Sequence, residues 1–535
     1  MKNYKYIGLL LLSIGVASCD VNNELDPIAG EPEPVQVALN AGSLDFSKYI
    51  AVGASFTGGF TDGALFIKGQ ENSFPNILAS KFKLVGGGDF NQPLMGDNIG
   101  GFVYGGTAVQ PPRLVFNATK KAPARLNALP TTSFGVRATG SSFNNFGIPG
   151  AKSFHLTFAG YGAANPYFGR MASSAGASVL NDAMAQNPTF FTLSEIGGND
   201  VLGYATTGGD GSDMITPVST FNAAFNGLVN GLTSNGAKGV LATVPDITLL
   251  PHFTTVPYNP LNPNDAVTGP TLKAQIPLLN SVYGAVNQIY VGAGQPERAI
   301  VFSETETNAV VIYDEDATDL SAAITTTLVA SPTFIPFVES LGLPAAAAPL
   351  VAGLLGQQYG KARSATSSDL FVLPSSAVIG TVNMTSAGTL IAQSGGLLPA
   401  SLAGQFSAEG ITLPLADKWV LTPQEQLEIK TATDAYNSTI TSVASAKGLA
   451  LIDLNAILRE AANGIKFDNY TMTSGLVTGG LVSLDGIHLT SRGYALMANK
   501  ILGAIDVAYG SNFTIATDGL AKADDFPTNY SPTLR

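Results

Sequence analysis

Two short segments at opposite ends of the chain carry residue types that can do covalent chemistry together: Gly53-Ala54-Ser55-Phe56-Thr57 and Asp485-Gly486-Ile487-His488. A serine hydroxyl is a weak nucleophile until an imidazole takes its proton, and a carboxylate that orients the imidazole completes the device. Asp485 and His488 lie three residues apart, close enough to meet within one turn. Ser55 is the candidate nucleophile, His488 the candidate base and Asp485 its orienter, so the chain reads as a serine-type hydrolase. The chain has only three histidines, His155, His252 and His488. His155 has no carboxylate nearby in sequence, and His252 falls in a loop expected after a strand, so both read as ordinary polar loop residues. With one cysteine and no His-x-x-x-His pair, neither a zinc site nor a cofactor is expected.

Such chemistry also needs donors for a developing oxyanion. Two segments offer them. Asn145-Phe146-Gly147-Ile148-Pro149-Gly150 presents glycines whose backbone can come close to a substrate, and Gly197-Gly198-Asn199-Asp200 presents a side-chain amide. Each follows a short apolar run, which is where an open α/β sheet places its ligands.

The elements that must hold these residues are legible as alternating runs. Apolar stretches at 49–52, 143–146, 190–193, 240–244 and 449–454 predict buried parallel strands. Helical patterns at 74–82, 177–185, 218–232 and 423–446 lie between them, the last opened by Thr422 and Glu425 as a capping box. The fold class is therefore α/β with helices around a central parallel sheet. Between the fourth and fifth runs the spacing is too long for one crossover, which predicts an insertion at about 255–420. Within it, 273–291 reads as helix and 310–313 and 370–373 as strands. An apolar stretch at 328–355 reads either as a lid or groove for acyl chains or as a second small core. Pro332, Pro336, Pro344 and Pro349 break it, so it is too fragmented to span a membrane.

The ordered set of Gly-x-Ser-x-Thr, a glycine closing the second strand, Gly-x-Asn-Asp and Asp-x-x-His resembles the SGNH (GDSL-type) esterase and lipase family. The resemblance covers about residues 45–250 and 420–508, outside the insertion. It implies a three-layer α/β/α sandwich, a Ser55–His488–Asp485 triad, and an oxyanion hole made of the Ser55 and Gly150 backbone N–H groups with the Asn199 side chain. Two departures stand out. Ala54 and Phe56 replace the Asp and Leu of the family's name motif. The missing Asp leaves the nucleophile loop in need of another brace, for which Asp62 and Asp200 are the candidates. The Gly-x-Ser-x-Gly elbow of the other large serine-hydrolase architecture is absent.

Composition sets the context. The 535 residues are 45% hydrophobic and only 12% charged, with 59 glycines, which excludes global disorder and suggests a neutral polar surface with long loops. A net charge of -12 argues against nucleic acid as a partner. The small basic group Lys120, Lys121 and Arg125 reads as a solvated loop. Residues 1–18, with Lys2 and Lys5 before an apolar run, have the layout of an export signal. Val16-Ala17-Ser18-Cys19 resembles a lipobox, which implies lipid attachment at Cys19. Residues 19–44 read as an acidic, Pro-rich tether, 45–510 as the catalytic domain with its insertion, and 511–535 as a tail. The expectation is a lipid-anchored enzyme of the bacterial cell envelope, at the outer membrane. Its expected partners are that membrane and an ester substrate, lipid first and acylated polysaccharide second. A surface binding lipoprotein on an inactive scaffold of this kind is the reading outside enzymology.

Overall fold

The computed structural model describes residues 36–535; the expected signal, the lipid-attachment site Cys19 and most of the tether lie outside the described residues. Residues 39–535 form one unit. Its centre is a five-stranded parallel sheet of β1 (Tyr49–Gly53), β2 (Asn145–Gly147), β3 (Phe190–Leu193), β4 (Lys238–Ala242) and β5 (Ala450–Ile452), ordered β2-β1-β3-β4-β5. All five correspond to the predicted apolar runs. The last run was expected to continue to 454, but the Asp453 carboxylate accepts the Ala456 N–H and turns the chain into a helix.

Strand side chains alternate between two cores, as the period of two requires. Ile50, Val52, Phe191, Leu193 and Leu241 face one. Tyr49, Ala51, Phe190, Val240, Ala242, Ala450 and Ile452 face the other. Helices cover both: α1 (Ser55–Gly58), α2 (Phe74–Lys83), α3 (Gly198–Thr206), α4 (Val218–Leu232), α5 (Gly269–Gly292), α6 (Pro423–Lys447), α7 (Leu454–Asn463) and α8 (Ser491–Tyr509) are the main ones around the site and its insertion. Phe221, Phe225, Tyr436 and Ile440 of α4 and α6 fill the first core, while Phe74, Leu78, Tyr494 and Ile501 of α2 and α8 fill the second. The capping box of α6 is formed: Thr422 Oγ1 accepts the Glu425 N–H, and the Glu425 carboxylate accepts the Thr422 N–H at 2.6 Å.

The insertion has its own core, built from Leu272, Ile276, Tyr283 and Tyr290 of α5 with Ile324, Val338, Ala352 and Tyr359. The apolar stretch at 328–355 is spent here, so it reads as a second small core and not as a lid. Among the described residues no single helix is long and apolar enough to cross a membrane; Ser321–Ala330 and Phe334–Ser340 pass such a test only as a pair bent by 92°. The expected loop at Lys120 and Lys121 is the turn of a hairpin, Leu114–Asn117 with Ala122–Arg125, and Arg125 reaches back to the carbonyls of Gly63 and Pro112. Residues 511–535 pack onto the domain: the fully buried Arg113 donates to the carbonyls of Ser531 and Leu534, and Phe513 lies in the second core.

Candidate active site

In the order β2-β1-β3-β4-β5 the direction of winding reverses at β1, and a crevice opens at the carboxyl ends of β1 and its neighbours. Ser55 follows β1 there, and Asn199 lies in the first turn of α3, just after β3. Gly53 is paired with Gly147 across β1 and β2. A side chain on Gly147 would meet the Gly58 N at 2.1 Å, so glycine at this strand end lets the nucleophile turn sit directly against β2. Ser55 opens the single turn α1 and is 8% exposed.

Glu195 sets that turn from below. One of its carboxylate oxygens accepts the N–H groups of Ala54 at 2.6 Å and Thr57 at 2.9 Å, and the other accepts the Thr57 hydroxyl at 3.1 Å. This is the brace that Ala54 left unexplained, and neither expected candidate supplies it. Asp62 instead accepts the Leu484 N–H, and Asp200 accepts the N–H and hydroxyl of Ser153. Sequence reasoning missed Glu195 because its role depends on backbone groups 138 and 141 residues away. Its one local signal is that it stands two residues before the glycine pair that leads to Asn199.

Burial raises the Glu195 carboxyl to about 7, against the pull of the N–H and hydroxyl donors. A raised folded value means that the native state holds this proton where the unfolded chain has released it. The contribution to stability is present below about 4.5 and is lost as pH rises through about 7. Glu195→Gln keeps an acceptor oxygen and is expected to remove that slope from the difference between variant and wild type. Glu195→Ala leaves two buried N–H groups unpaired and is expected to cost roughly 2–5 kcal/mol in denaturant unfolding. Equal stabilities of Ala and Gln variants across pH 5 to 8 would show that Glu195 does not brace the turn.

The acid–base pair is formed. The Asp485 carboxylate lies 2.9 Å from His488 Nδ1, and both side chains are about nine-tenths buried. It also accepts N–H groups from Ile487 and His488 at 2.9 Å, the Ser483 hydroxyl at 3.0 Å and the Gly63 N–H at 2.7 Å. Burial alone would raise this carboxyl, but the His488 imidazole and the backbone donors outweigh it and hold the group well below the usual carboxylate range. With Nδ1–H directed at Asp485, Nε2 is left as the basic nitrogen. The loop is fastened to the segment after Ser55 by Asp62 N–H to Ser483 Oγ, Leu484 N–H to the Asp62 carboxylate, and Thr61 Oγ1 to the Leu489 carbonyl. His488 packs on Phe60 and Phe56, with ring centroids at 4.6 and 5.6 Å. Ser55 Oγ and His488 Nε2 form no hydrogen bond to each other.

Of the expected oxyanion donors, Asn199 lines the same cavity as Ser55, while its amide donates one hydrogen to the Ala151 carbonyl at 2.9 Å, leaving the second hydrogen to donate. Gly150 is exposed, in a left-handed turn at φ 77°, and is not among the residues lining that cavity. It sits one residue before the carbonyl that orients Asn199. His155 stacks on Tyr161 and accepts the Lys152 N–H, and His252 is buried with its backbone N–H donating to the Gly486 carbonyl; of the three histidines, only His488 pairs with a carboxylate side chain among the described residues.

From Ser55 a narrow, almost wholly apolar cavity of about 90 Å³ runs inward between α3, α7 and α8, walled by Leu202, Ile247, Leu454, Leu458, Leu481 and Met497. None of its walls comes from residues 328–355, so the insertion is not the acyl-binding surface that the sequence suggested. No family model matches the chain, and no curated protein and no solved structure is significantly similar to it.

Proposed function

We propose that this chain is a serine ester hydrolase of the SGNH type that cleaves acyl esters carrying an apolar chain. The observation that carries the reading is the apolar cavity that opens at Ser55 and shares its wall with Asn199. In this scheme Ser55 Oγ attacks the ester carbonyl as its proton passes to His488 Nε2. The oxyanion is held by the second Asn199 amide hydrogen and the Ser55 backbone N–H, the Ala54 and Thr57 N–H groups being taken by Glu195. The alcohol leaves with the proton from His488, and water, deprotonated by His488, hydrolyses the acyl-enzyme and regenerates Ser55. Asp485 stays ionised throughout and stabilises the transient imidazolium. The parallel sheet wrapped on both faces by helices supports the three-layer sandwich of this family, and attachment through Cys19 would hold the enzyme at a membrane where such esters are abundant.

The test joins labelling to chain length. A fluorophosphonate should label the wild type at Ser55, and kcat/KM on p-nitrophenyl esters should rise from acetate to a medium chain as methylenes enter the cavity. Leu458→Trp, which fills the cavity, should return the preference to acetate. An unlabelled folded protein would sink the hydrolase reading and favour a binding lipoprotein. Labelling with activity confined to acetyl esters in the wild type would instead favour a deacetylase of polysaccharides.

A further inference from the structure

Away from the crevice, three carboxylates from separate parts of the chain converge: Glu315, after the strand Val311–Tyr313 of the insertion; Asp417, in the turn Asp417–Trp419; and Glu425, at the start of α6. One oxygen from each lies within 4.8 Å of the others. Three like charges so close are unfavourable unless something positive or shared sits among them. Among the described residues no lysine or arginine pairs with any of the three. Lys361, the nearest candidate in the loop, donates to the backbone carbonyl of Glu315 and not to its carboxylate.

The second observation concerns single atoms. Glu425 is only 2% exposed. Its Oε2 is occupied by the N–H and hydroxyl of Thr422, but its Oε1 is buried and has no partner among the described residues. Glu315 Oε2 and Asp417 Oδ1 are likewise shielded from solvent and unpartnered. The loop Gly208-Gly209, just beyond α3, closes over them: a Cβ on Gly209 would fall 1.9 Å from Glu425 Oε1, and one on Gly208 would fall 2.1 Å from the Asp417 carbonyl. A buried carboxylate oxygen without a donor costs several kcal/mol in ordinary circumstances. Here three such carboxylates each bring an oxygen within 4.8 Å of the other two.

We infer that Glu315, Asp417 and Glu425 bind a divalent cation, with Ca²⁺ as the ion that their chemistry suits. The donors are all hard oxygens, which excludes soft-ligand metals as the natural occupant. Ca²⁺ accepts ligands at about 2.3–2.6 Å, so oxygens on its opposite sides are about 5 Å apart, and it completes its shell with water or carbonyls in irregular geometry. Mg²⁺ demands tighter octahedral distances. The ion would join the insertion, through Glu315, to the start of α6, through Glu425, beneath the Gly208-Gly209 loop that follows α3. The sequence expectation of no metal rested on histidines and cysteines and was blind to carboxylates separated by about a hundred residues.

The experiment uses the full chain, stripped with EDTA and dialysed. Calorimetric titration with Ca²⁺ should show one equivalent bound, and saturating Ca²⁺ should raise the melting temperature. The double variant Glu315→Gln, Asp417→Asn keeps the Glu425 capping box and removes two like charges. It should bind at least 100-fold more weakly, and its melting temperature should not respond to Ca²⁺. Mg²⁺ at the same concentration should give less than a tenth of the wild-type affinity. If the carboxylates are instead held by shared protons, the stripped wild type will bind no Ca²⁺ and will melt at the same temperature with and without it, and the proposal is overturned. Equal Ca²⁺ binding by the wild type and the double variant would overturn it as well.

Discussion

Ser55→Ala is expected to lower kcat on a chromogenic ester by about a millionfold, to the level that binding and oxyanion donors alone support. The loss should come without a loss of fold. Among the described residues the Ser55 hydroxyl has no hydrogen-bond partner, and the turn that carries it is held through backbone groups by Glu195 and by the Phe60 N–H to the Ser55 carbonyl. The melting temperature should therefore stay within a degree or two of wild type, and the two measurements together separate a missing nucleophile from a damaged protein. An alanine variant that still turned over at the wild-type rate would mean that the acyl group is transferred elsewhere.

Asp485→Asn is expected to reduce kcat by about 10⁴-fold. The carboxylate accepts from five donors, and His488 Nδ1–H is one of them. An amide offers one acceptor oxygen, so its NH₂ must confront either the Ser483 hydroxyl and the Ile487 and His488 N–H groups that now meet Oδ1, or Gly63 N–H and the imidazole together at Oδ2. Turning it toward His488 favours the tautomer with the proton on Nε2, which cannot take the serine proton. The variant also has a signature in stability. Because the folded Asp485 pKa is depressed, its contribution is present above the ordinary carboxylate value of 3.8 and is lost as pH falls below it. Wild type should be the more stable at pH 7, and the gap should hold down to about pH 4 and narrow only below it. A kcat within tenfold of wild type would remove Asp485 from the mechanism.

These expectations rest on side chains that were visible as types and spacings but not as a constellation. The nucleophile turn and the Asp-x-x-His segment could be picked out because each is bounded by local signals: an apolar run ending in glycine, and a helix start that Thr490 caps by accepting the Gly493 N–H. The five strands were legible for the same reason, since strands buried on both faces are short unbroken apolar runs. Asp485–His488 was legible because its partners are three residues apart.

What was not legible follows a single physical rule. Glu195 is one more glutamate until the sheet brings its carboxylate under Ala54 and Thr57, and Asp62 and Asp200 looked equally suited to that task. The tertiary structure gives each a different one: Asp62 braces the Asp485–His488 loop, Asp200 the Ser153 loop, and Glu195 the Ser55 turn. The stretch at 328–355 has the composition of an acyl groove, yet it packs against α5 because burying apolar area does not depend on which apolar partner is met. The groove at Ser55 is built instead from α3, α7 and α8, whose apolar faces in isolation read as ordinary core.

Periodicity, caps and short-range motifs act within a few residues, so the residues 49–57, 190–200 and 485–490 announced both their secondary structure and their chemistry from sequence alone. Hydrogen bonds and charge meetings between residues hundreds of positions apart have no local signature. For that reason only the folded chain decided what braces Ser55, which residues wall its cavity, and that Glu315, Asp417 and Glu425 share one point in space.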